Sequence, residues 1–401
     1  IRIRRKRLRL DKMKSIKSQH YLNQEQWKYT KIDSFKNYNF NYKPLNDSIN
    51  NRQCENHEIL LHNGHFVQSG KTINKNKIIV CNIKDALNKK IEHLETLFNN
   101  IIPKYNDLYT KHNKENFFTG YYLYIPKNLQ LNEPIIINNI NDDGDKQSFT
   151  NYRNFIFCDQ NTNVKILNND SSEITACNNI INEIYINNNS ELEVITESNK
   201  PKTKQIYNFS ANINQNAKLK YHALDFKGKF IKNNYYFNLN KPGAECAFNG
   251  FNIAQSKNYI DNYIEISHNH KHTKSQLDYK IISSDNAKSI LFAKAIIKKN
   301  SSNCEAYQNN HNLILSEKAT IHSNPQLEIY NDDVQCSHGS TTGQIDDEII
   351  HYMRTRGINI DNAKKLILEG FLNDITNNIS IKLFRKQLNK KIAEYLQNEN
   401  F

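Results

Sequence analysis

The spacing of apolar residues divides the chain into three regions. Up to residue 117 the pattern is mixed, with helical spacing over 83–98, where apolar residues recur every three or four positions. From 118 to 345 this spacing disappears, and short runs such as 191–195 alternate polar and apolar residues between Asn, Asp, Ser and Gly turns. From 346 to 401 helical spacing returns. The pattern predicts a mixed, mostly helical region at 13–117, a mainly β core at 118–345 and a helical region at 346–401.

Three helices are predicted in the last region. Asp346 is placed to cap the first, and Gly357 stands where a left-handed residue ends it. The predicted apolar faces are Ile349, Ile350 and Met353; Ala363, Leu366, Ile367, Gly370, Phe371 and Ile375; and Ile381, Phe384, Leu388, Ile392 and Leu396.

The β core also repeats. A turn residue, a small or β-branched residue, any residue and an apolar residue recur about 27 residues apart, a spacing typical of repeat proteins. The four copies are Asn163-Val-Lys-Ile166, Asn189-Ser-Glu-Leu192, Asn216-Ala-Lys-Leu219 and Gly243-Ala-Glu-Cys246. A near-constant period favours stacked coils of a β-solenoid, whereas a β-sandwich explains only the alternation. The open ends of a solenoid need covering, and we expect the terminal helices to help cover them.

The formal net charge of +13 suggests nucleic acid, but its position argues against that. Residues 1–12 hold seven Lys and Arg against one Asp, so nearly half of the excess lies in this short segment. We expect 1–12, which precede Met13, to be a basic leader or an artefact. The remaining charge forms no clustered basic helix, so the sequence predicts no nucleic-acid partner.

The composition indicates the cellular compartment in which the protein is expected. The chain holds 65 Asn, which we interpret as drift toward AT-rich codons, and no stretch approaches the roughly 18 to 20 apolar residues of a membrane span. The seven cysteines are scattered and contain no C-x-x-C pair, which predicts a reducing compartment. We therefore expect no membrane partner. We expect the protein to be located in a bacterial cytoplasm or a plastid-type stroma.

Two motifs have weak functional interpretations. Gly64 to Gly70, followed by Lys71, resembles a phosphate-binding loop but has five intervening residues where four are required. Asn63-Gly64 between two apolar runs favours a hairpin turn instead. His268, His270 and His272 alternate and would share one strand face as metal ligands, but a solvated strand face or a turn is the favoured interpretation.

Cys336 and His338 lie in the densest group of chemically active residues. Leu327 and Ile329 alternate on a predicted strand. Cys336 and His338, which are two residues apart, project from one face if that strand continues. A thiol and an imidazole suit iron or zinc but are too few to hold an ion alone, so a partner chain would have to complete the site.

This stretch closely resembles the C-terminal signature of the SufB/SufD family of the SUF iron–sulfur cluster assembly system. The matching residues are Pro325-Gln-Leu-Glu-Ile-Tyr through Cys336-Ser-His338-Gly to Gly357-Ile358. Further similarity lies in the segment 306–316, in Trp27-Lys-Tyr-Thr30 and in Tyr124-Ile-Pro-Lys127. The Cys-Ser-His-Gly residues resemble the SufD branch more than SufB. Lys294 replaces a usual Gly, which puts a local turn in doubt, and Ser340 stands where Ala is common.

The resemblance implies a right-handed parallel β-helix and a non-catalytic scaffold, not a stand-alone enzyme. It implies pairing with SufB through the β-helix core and binding of the SufC ATPase by the helices after Asp346, with ATP used only through SufC. It also implies that His338, with Cys336 beside it, takes part in forming a nascent iron–sulfur cluster at the SufB interface, holding iron transiently.

Two other functions remain as hypotheses. The repeat and the many carboxylates fit a β-helix polysaccharide lyase or hydrolase. Nucleic-acid binding has only the net charge in its favour, and salt-sensitive binding in a chain that starts at Met13 would support it.

Overall fold

A computed structural model describes residues 27–30, 39–40, 53–102, 107–141, 148–171, 175 and 177–398. The basic segment 1–12 lies outside these residues. The strands are β1 (Asn39–Phe40), β2 (Glu58–His62), β3 (His65–Ser69), β4 (Ile79–Asn82), β5 (Tyr121–Ile125), β6 (Ile135–Ile140), β7 (Ser148–Cys158), β8 (Asn163–Ser171), β9 (Cys177–Ile186), β10 (Glu191–Ile213), β11 (Lys218–Leu239), β12 (Glu245–Ala254), β13 (Tyr259–His268), β14 (Lys274–Ser283), β15 (Lys288–Ile297), β16 (Cys304–Ile314), β17 (Thr320–Ile329) and β18 (Val334–Gly343). The helices are α1 (Lys71–Lys75), α2 (Ile83–Asn88), α3 (Glu92–Leu97), α4 (Leu108–Asn116), α5 (Asp347–Thr355), α6 (Ile360–Asn377) and α7 (Lys382–Asn398).

The strands from β5 onward stack as a parallel β-solenoid of about seven turns, which confirms the predicted fold class. In the middle of the stack Glu191 pairs with Lys218 and Lys218 with Glu245, so the period there is constant. Near the end Cys304 pairs with Val334, which lies further along the chain from its partner than Lys218 does from Glu191. The coils therefore lengthen toward the C-terminus. Strand pairing is not confined to 118–345, because β2 also pairs in parallel with β6.

The register corrects the first copy of the repeat. Val164, not Ile166, pairs with Leu192, so the turn residue equivalent to Asn189 is Asn161 and not Asn163. The first interval of the repeat is therefore slightly longer than the sequence pattern suggested. Backbone angle φ is positive at the corresponding turn of each coil up to the one before β16, a conformation that Asn and Gly tolerate best. These turn residues are Asn128, Asn161, Asn189, Asn216, Gly243, His272 and Asn303.

Asparagine has a structural role that composition alone did not reveal. The side chain of Asn161 donates to Asn128, Asn189 to Asn161 and Asn216 to Asn189, with N···O distances of 2.9, 3.3 and 3.3 Å. Such ladders satisfy stacked amide groups along the solenoid. Part of the Asn content is therefore structural, beyond the codon drift that we inferred.

Aromatic and aliphatic side chains fill the lumen of the middle coils. Phe209 and Tyr221 lie 4.4 Å apart, and Tyr221 stacks on Phe248 at 5.5 Å between ring centroids. All three are buried, and together with the surrounding aliphatic residues they form the largest hydrophobic cluster of the described chain. Burial of this area is the main stabilising contribution to the solenoid.

The C-terminal helices pack on the side of the solenoid and do not cover its end, so that part of the prediction is wrong. Leu368, Leu372 and Ile375 of α6 contact an apolar patch on the outer sheet face, where Leu224 and Phe251 lie.

The buried face of α6 agrees only in part with the predicted one, since Ala363 and Ile375 are buried and Phe371 packs against the patch as expected. Leu366 and Gly370 are exposed, because the sheet receives the neighbouring positions of the helix.

The predicted face of α7 is confirmed, since Phe384, Leu388, Ile392 and Leu396 are all buried. Asp346 caps α5, its side chain accepting from the backbone N–H of Glu348 at 2.8 Å. Gly357 has φ of +84°, as its position predicts.

The N-terminal region contains short elements. The helix predicted over 83–98 is divided into α2 and α3, because Lys90 adopts a positive φ of 51° that no helix continues through. Asn63 and Gly64 have φ of 49° and 79° and join antiparallel β2 and β3, which confirms the hairpin. No helix of the described residues is long and apolar enough to cross a membrane.

Candidate metal and partner site at the open coil

The last coil, formed by β17 and β18, ends the solenoid without a cover among the described residues. Within that part of the chain β17 pairs with β15 and β18 with β16, so one backbone edge of each strand has no ladder partner. Every residue of β18 is at least partly exposed. We call this surface the open coil.

Strand register shows which side chains of the open coil face the lumen. On β16, alternate residues are buried, and Ala306, Gln308 and Asn310 belong to the buried row. They pair with Cys336, His338 and Ser340 respectively. Paired residues of parallel strands project to the same face. Cys336 and His338 therefore share the lumen face of β18, as their spacing predicts.

Cys336 is the more buried of the two. It packs beside Leu327, Val334, Ala306 and Cys304 in a small apolar cluster. This burial raises the pKa of its thiol, an effect that a backbone hydrogen bond from Ala306 partly opposes. A metal that binds Cys336 must therefore displace a proton. His338, by contrast, is exposed on the open coil.

A polar network lies next to His338 in the lumen. The side-chain oxygen of Asn310 accepts from Ser323 of β17 at 2.6 Å and from Ser340 of β18 at 3.3 Å. The two serine hydroxyls are 2.8 Å apart. The network joins both strands of the open coil and gives Ser340 a structural role. Sequence reasoning missed Asn310 and Ser323, because the lumen row becomes visible only once the length of the last coil is known.

Two groups of exposed apolar residues lie near the C-terminus. On the last coil, Ile329 is 44% and Tyr330 60% exposed. On the C-terminal helices, Ile349, Tyr352 and Leu366 are between 47% and 59% exposed, and α5 buries no residue at all. These are two separate surfaces on which a protein partner could pack.

The other sequence candidates do not form metal sites. His268 is buried, and its ring nitrogens lie 2.8 Å from the hydroxyls of Thr273 and Ser275; burial lowers its pKa to about 4. His270 and His272 lie in the turn that follows, so the three histidines do not share a strand face. In the described part of the chain, no group of three His, Cys, Asp or Glu residues could hold a metal ion.

Lys294 does not mark a turn. It lies within β15, and its Nζ is 2.5 Å from a carboxylate oxygen of Glu328 on β17. The structure has a strand and no turn at this position, and the ion pair joins two neighbouring coils.

These features define a class of protein: a β-solenoid with helices on its flank and a Cys-x-His pair on an uncovered last coil. Residues 139–371 match the family model of the SUF system FeS cluster assembly SufBD core domain, and residues 6–137 match the SufBD protein N-terminal region. The chain belongs to the SufBD family.

Named relatives show modest identity. The chain is 24% identical over 300 residues to an iron–sulfur cluster assembly SufBD family protein of Synechocystis, covering 72% of this chain and 66% of that protein. It is 29% identical over 175 residues to the SufD protein of Escherichia coli, covering 44% and 41%. It is 26% identical over 284 residues to SufD of Bacillus subtilis, covering 67% and 62%. Each match spans less than two thirds of the relative.

Proposed function

We propose that the chain is a SufD-type scaffold subunit that pairs with SufB through the open coil and is not itself an enzyme. The observation that carries this proposal is the position of the Cys336-Ser-His338 signature on β18, whose outer edge has no ladder partner among the described residues. An unpaired strand edge is a template for another chain. Family membership favours this function over a polysaccharide lyase or hydrolase.

His338 and Cys336 would contribute to a nascent iron–sulfur cluster, with the remaining ligands from SufB. An imidazole and a thiol from this chain, facing one lumen, leave other coordination positions to the partner. The iron or cluster is cargo of the assembly. A transient site suits this donor set, because two ligands release a cluster more readily than four thiolates do.

The exposed faces of α5 and α6 would bind the SufC ATPase, through which alone ATP acts on the complex. Their apolar residues Ile349, Tyr352 and Leu366 are exposed although α6 is anchored on the solenoid by its opposite face. The proposed setting is a bacterial cytoplasm or a plastid-type stroma.

Co-expression with SufB and SufC tests the proposal. We expect a stable complex that forms clusters, and His338→Ala should lower cluster formation without dissolving the complex. The matched control is His270→Ala, a histidine in the turn after β13 that lies outside the open coil and outside the proposed SufC surface. A chain that binds neither SufB nor SufC would contradict the proposal.

A further inference from the structure

Gln308 lies one coil below His338 in the lumen. The two residues are directly paired between β16 and β18, and paired strands lie about 4.8 Å apart. Gln308 is 3% exposed, and its amide nitrogen donates to the backbone carbonyl of Gln326 at 3.3 Å. Its side-chain oxygen Oε1 is buried and has no hydrogen-bond partner among the described residues. A buried oxygen without a donor destabilises the fold, so a donor within reach would be used.

Elsewhere in this solenoid, directly paired side chains on neighbouring coils bind each other. The pairs are Thr150 with Asn178 at 2.7 Å, Asn154 with Asn182 at 2.8 Å, Asn233 with Asn262 at 2.9 Å and Asn234 with Asn208 at 3.0 Å. The spacing between coils therefore suits a hydrogen bond between polar side chains at the same register position.

His338 is the donor that the register offers to Gln308. The other lumen residues of β18 are otherwise engaged: Cys336 packs in the apolar cluster, and Ser340 belongs to the Asn310 network. A neutral imidazole has one N–H donor and one nitrogen acceptor. Whichever ring nitrogen donates, the other keeps its lone pair.

We propose that Gln308 is a positioning residue for His338. The described residues leave this Oε1 unpaired; when the exposed His338 side chain turns toward it, Oε1 accepts the N–H of one ring nitrogen, which fixes the tautomer and leaves the other nitrogen as the metal ligand. In metal sites, the histidine ring nitrogen that does not bind the metal ordinarily donates its N–H to an acceptor of this kind. The metal role of this pair rests on the function proposed above, whereas the hydrogen bond itself does not.

The tautomer of His338 tests the hydrogen bond without any metal. Ring ¹⁵N shifts are measured on the labelled chain at about pH 8.5, two units above the ordinary histidine pKa, and His338→Ala identifies the signals. We expect one dominant tautomer in the wild type. Gln308→Leu should restore the tautomer mixture of a solvated imidazole, and Gln308→Glu, which keeps an acceptor, should preserve the wild-type ratio.

Asn312→Leu is the matched control. Asn312 belongs to the same buried row and also has an unpartnered side-chain oxygen in the described structure, but it pairs with Thr342. This variant should leave the His338 tautomer unchanged. Equal tautomer ratios in the wild type and Gln308→Leu would overturn the proposal. If Gln308→Leu does not fold, the rate of ring N–H exchange is measured in the wild type instead. A His338 ring N–H that exchanges as fast as that of the exposed His351 would contradict the hydrogen bond.

Iron binding by the complex with SufB and SufC tests the metal role. Gln308→Leu should weaken Fe²⁺ binding by about 10- to 100-fold, and Gln308→Glu should restore it to near the wild-type value. Equal affinities in all three would overturn the positioning role. A wild-type complex with a fixed tautomer but no Fe²⁺ binding would overturn the proposed function, and the metal role with it, while the hydrogen bond would stand.

Discussion

The middle coils and the open coil of the solenoid have the same arrangement of strands. They differ in the side chains that fill the lumen and in whether neighbouring strands cover them. In the middle, β10 and β11 have a parallel neighbour on each side, and rings such as Phe209, Tyr221 and Phe248 pack the lumen. In the open coil, β17 and β18 have a neighbour on one side only within the described chain. His338 occupies the lumen position there that Tyr221 and Phe248 occupy in the middle.

The two regions therefore differ in their expected roles: the middle coils stabilise the fold, and the open coil is where we propose that a partner binds. Stacked apolar groups of the middle coils make a closed core, whose burial stabilises the fold. The open coil keeps the same strands and turns but exposes polar groups and free backbone edges, which natural proteins normally protect. We therefore expect the open coil to contribute little to stability and, under the proposed function, to be covered by SufB.

The largest expected effect is the loss of an aromatic ring from the middle lumen. Phe209→Ala should destabilise the chain by about 3–5 kcal/mol, because it leaves a cavity in a packed core. The paired control is His338→Ala in the open coil, which should cost only about 1 kcal/mol, the value of its proposed hydrogen bond to Gln308. Equilibrium urea unfolding measures both, and equal losses would remove the distinction between the two regions.

A smaller effect is expected where the C-terminal helices meet the middle coils. The carboxylate of Glu193 accepts from the backbone N–H of Ser380 at 2.9 Å and lies 3.2 Å from Nε2 of His222. Glu193→Gln should cost about 1.5–3 kcal/mol, the value of hydrogen bonds to a charged group. Glu191→Gln is the control, because Glu191 forms a surface pair with Lys220 that should be worth about 1 kcal/mol or less. Comparable losses in urea unfolding would contradict the assigned role of Glu193.

The same carboxylate predicts a pH dependence. Burial acts to raise the pKa of Glu193, but the adjacent His222 ring and the hydrogen bonds from Ser380 outweigh it and lower the pKa to about 2. Since the folded-state pKa lies below the ordinary 4.5, its contribution is fully present above about pH 4.5 and is lost as the pH falls toward 2. Unfolding of wild type and Glu193→Gln should therefore converge in free energy over this range; a constant difference would contradict the prediction.

The turns should respond alike in both regions. Asn189 in the middle and Asn303 near the open coil have φ of 58° and 54°. Substitution of either by Val should cost about 1–2 kcal/mol through left-handed strain, and substitution by Gly much less. Thermal or urea unfolding of the four variants checks this. A tolerated Val at Asn303 alone would show that the two turns differ.

The exposed residue Tyr330, which follows β17 on the open coil, should contribute to partner binding but not to folding stability. Tyr330→Ser should leave stability unchanged within about 0.5 kcal/mol, since the ring is 60% exposed. It should weaken SufB binding about tenfold, as expected for an interface aromatic residue. Tyr352→Ser on α5 is the matched control, and titration calorimetry with SufB measures both. Equal affinities in wild type and Tyr330→Ser would contradict an interface at this position.

Local sequence patterns are sufficient to predict much of this structure. Alternation predicted the strands, positions 384 to 396 predicted the buried face of α7, and the two-residue spacing placed Cys336 and His338 on one face. The repeat was found because turns need residues that tolerate positive φ. Its first copy was shifted because Asn161 and Asn163 both precede a polar and apolar pair, and only strand pairing distinguishes them.

Contacts between coils could not be predicted in the same way. The coils lengthen toward the C-terminus, so the residues that lie below His338 and Ser340 cannot be found from the period of the middle. For the same reason Gln308, Asn310 and Ser323 did not stand out. The side of α6 that is buried depends on the outer sheet face, which exists only after the solenoid has formed.

Hydrogen–deuterium exchange with and without SufB tests the central claim most directly. The unpaired backbone amides of β17 and β18 should exchange rapidly in the free chain and become protected when SufB binds, because a partner then covers the open coil. Amides of β10 and β11 should be protected in both states. Unchanged exchange in β17 and β18, with new protection elsewhere on the chain, would contradict the account.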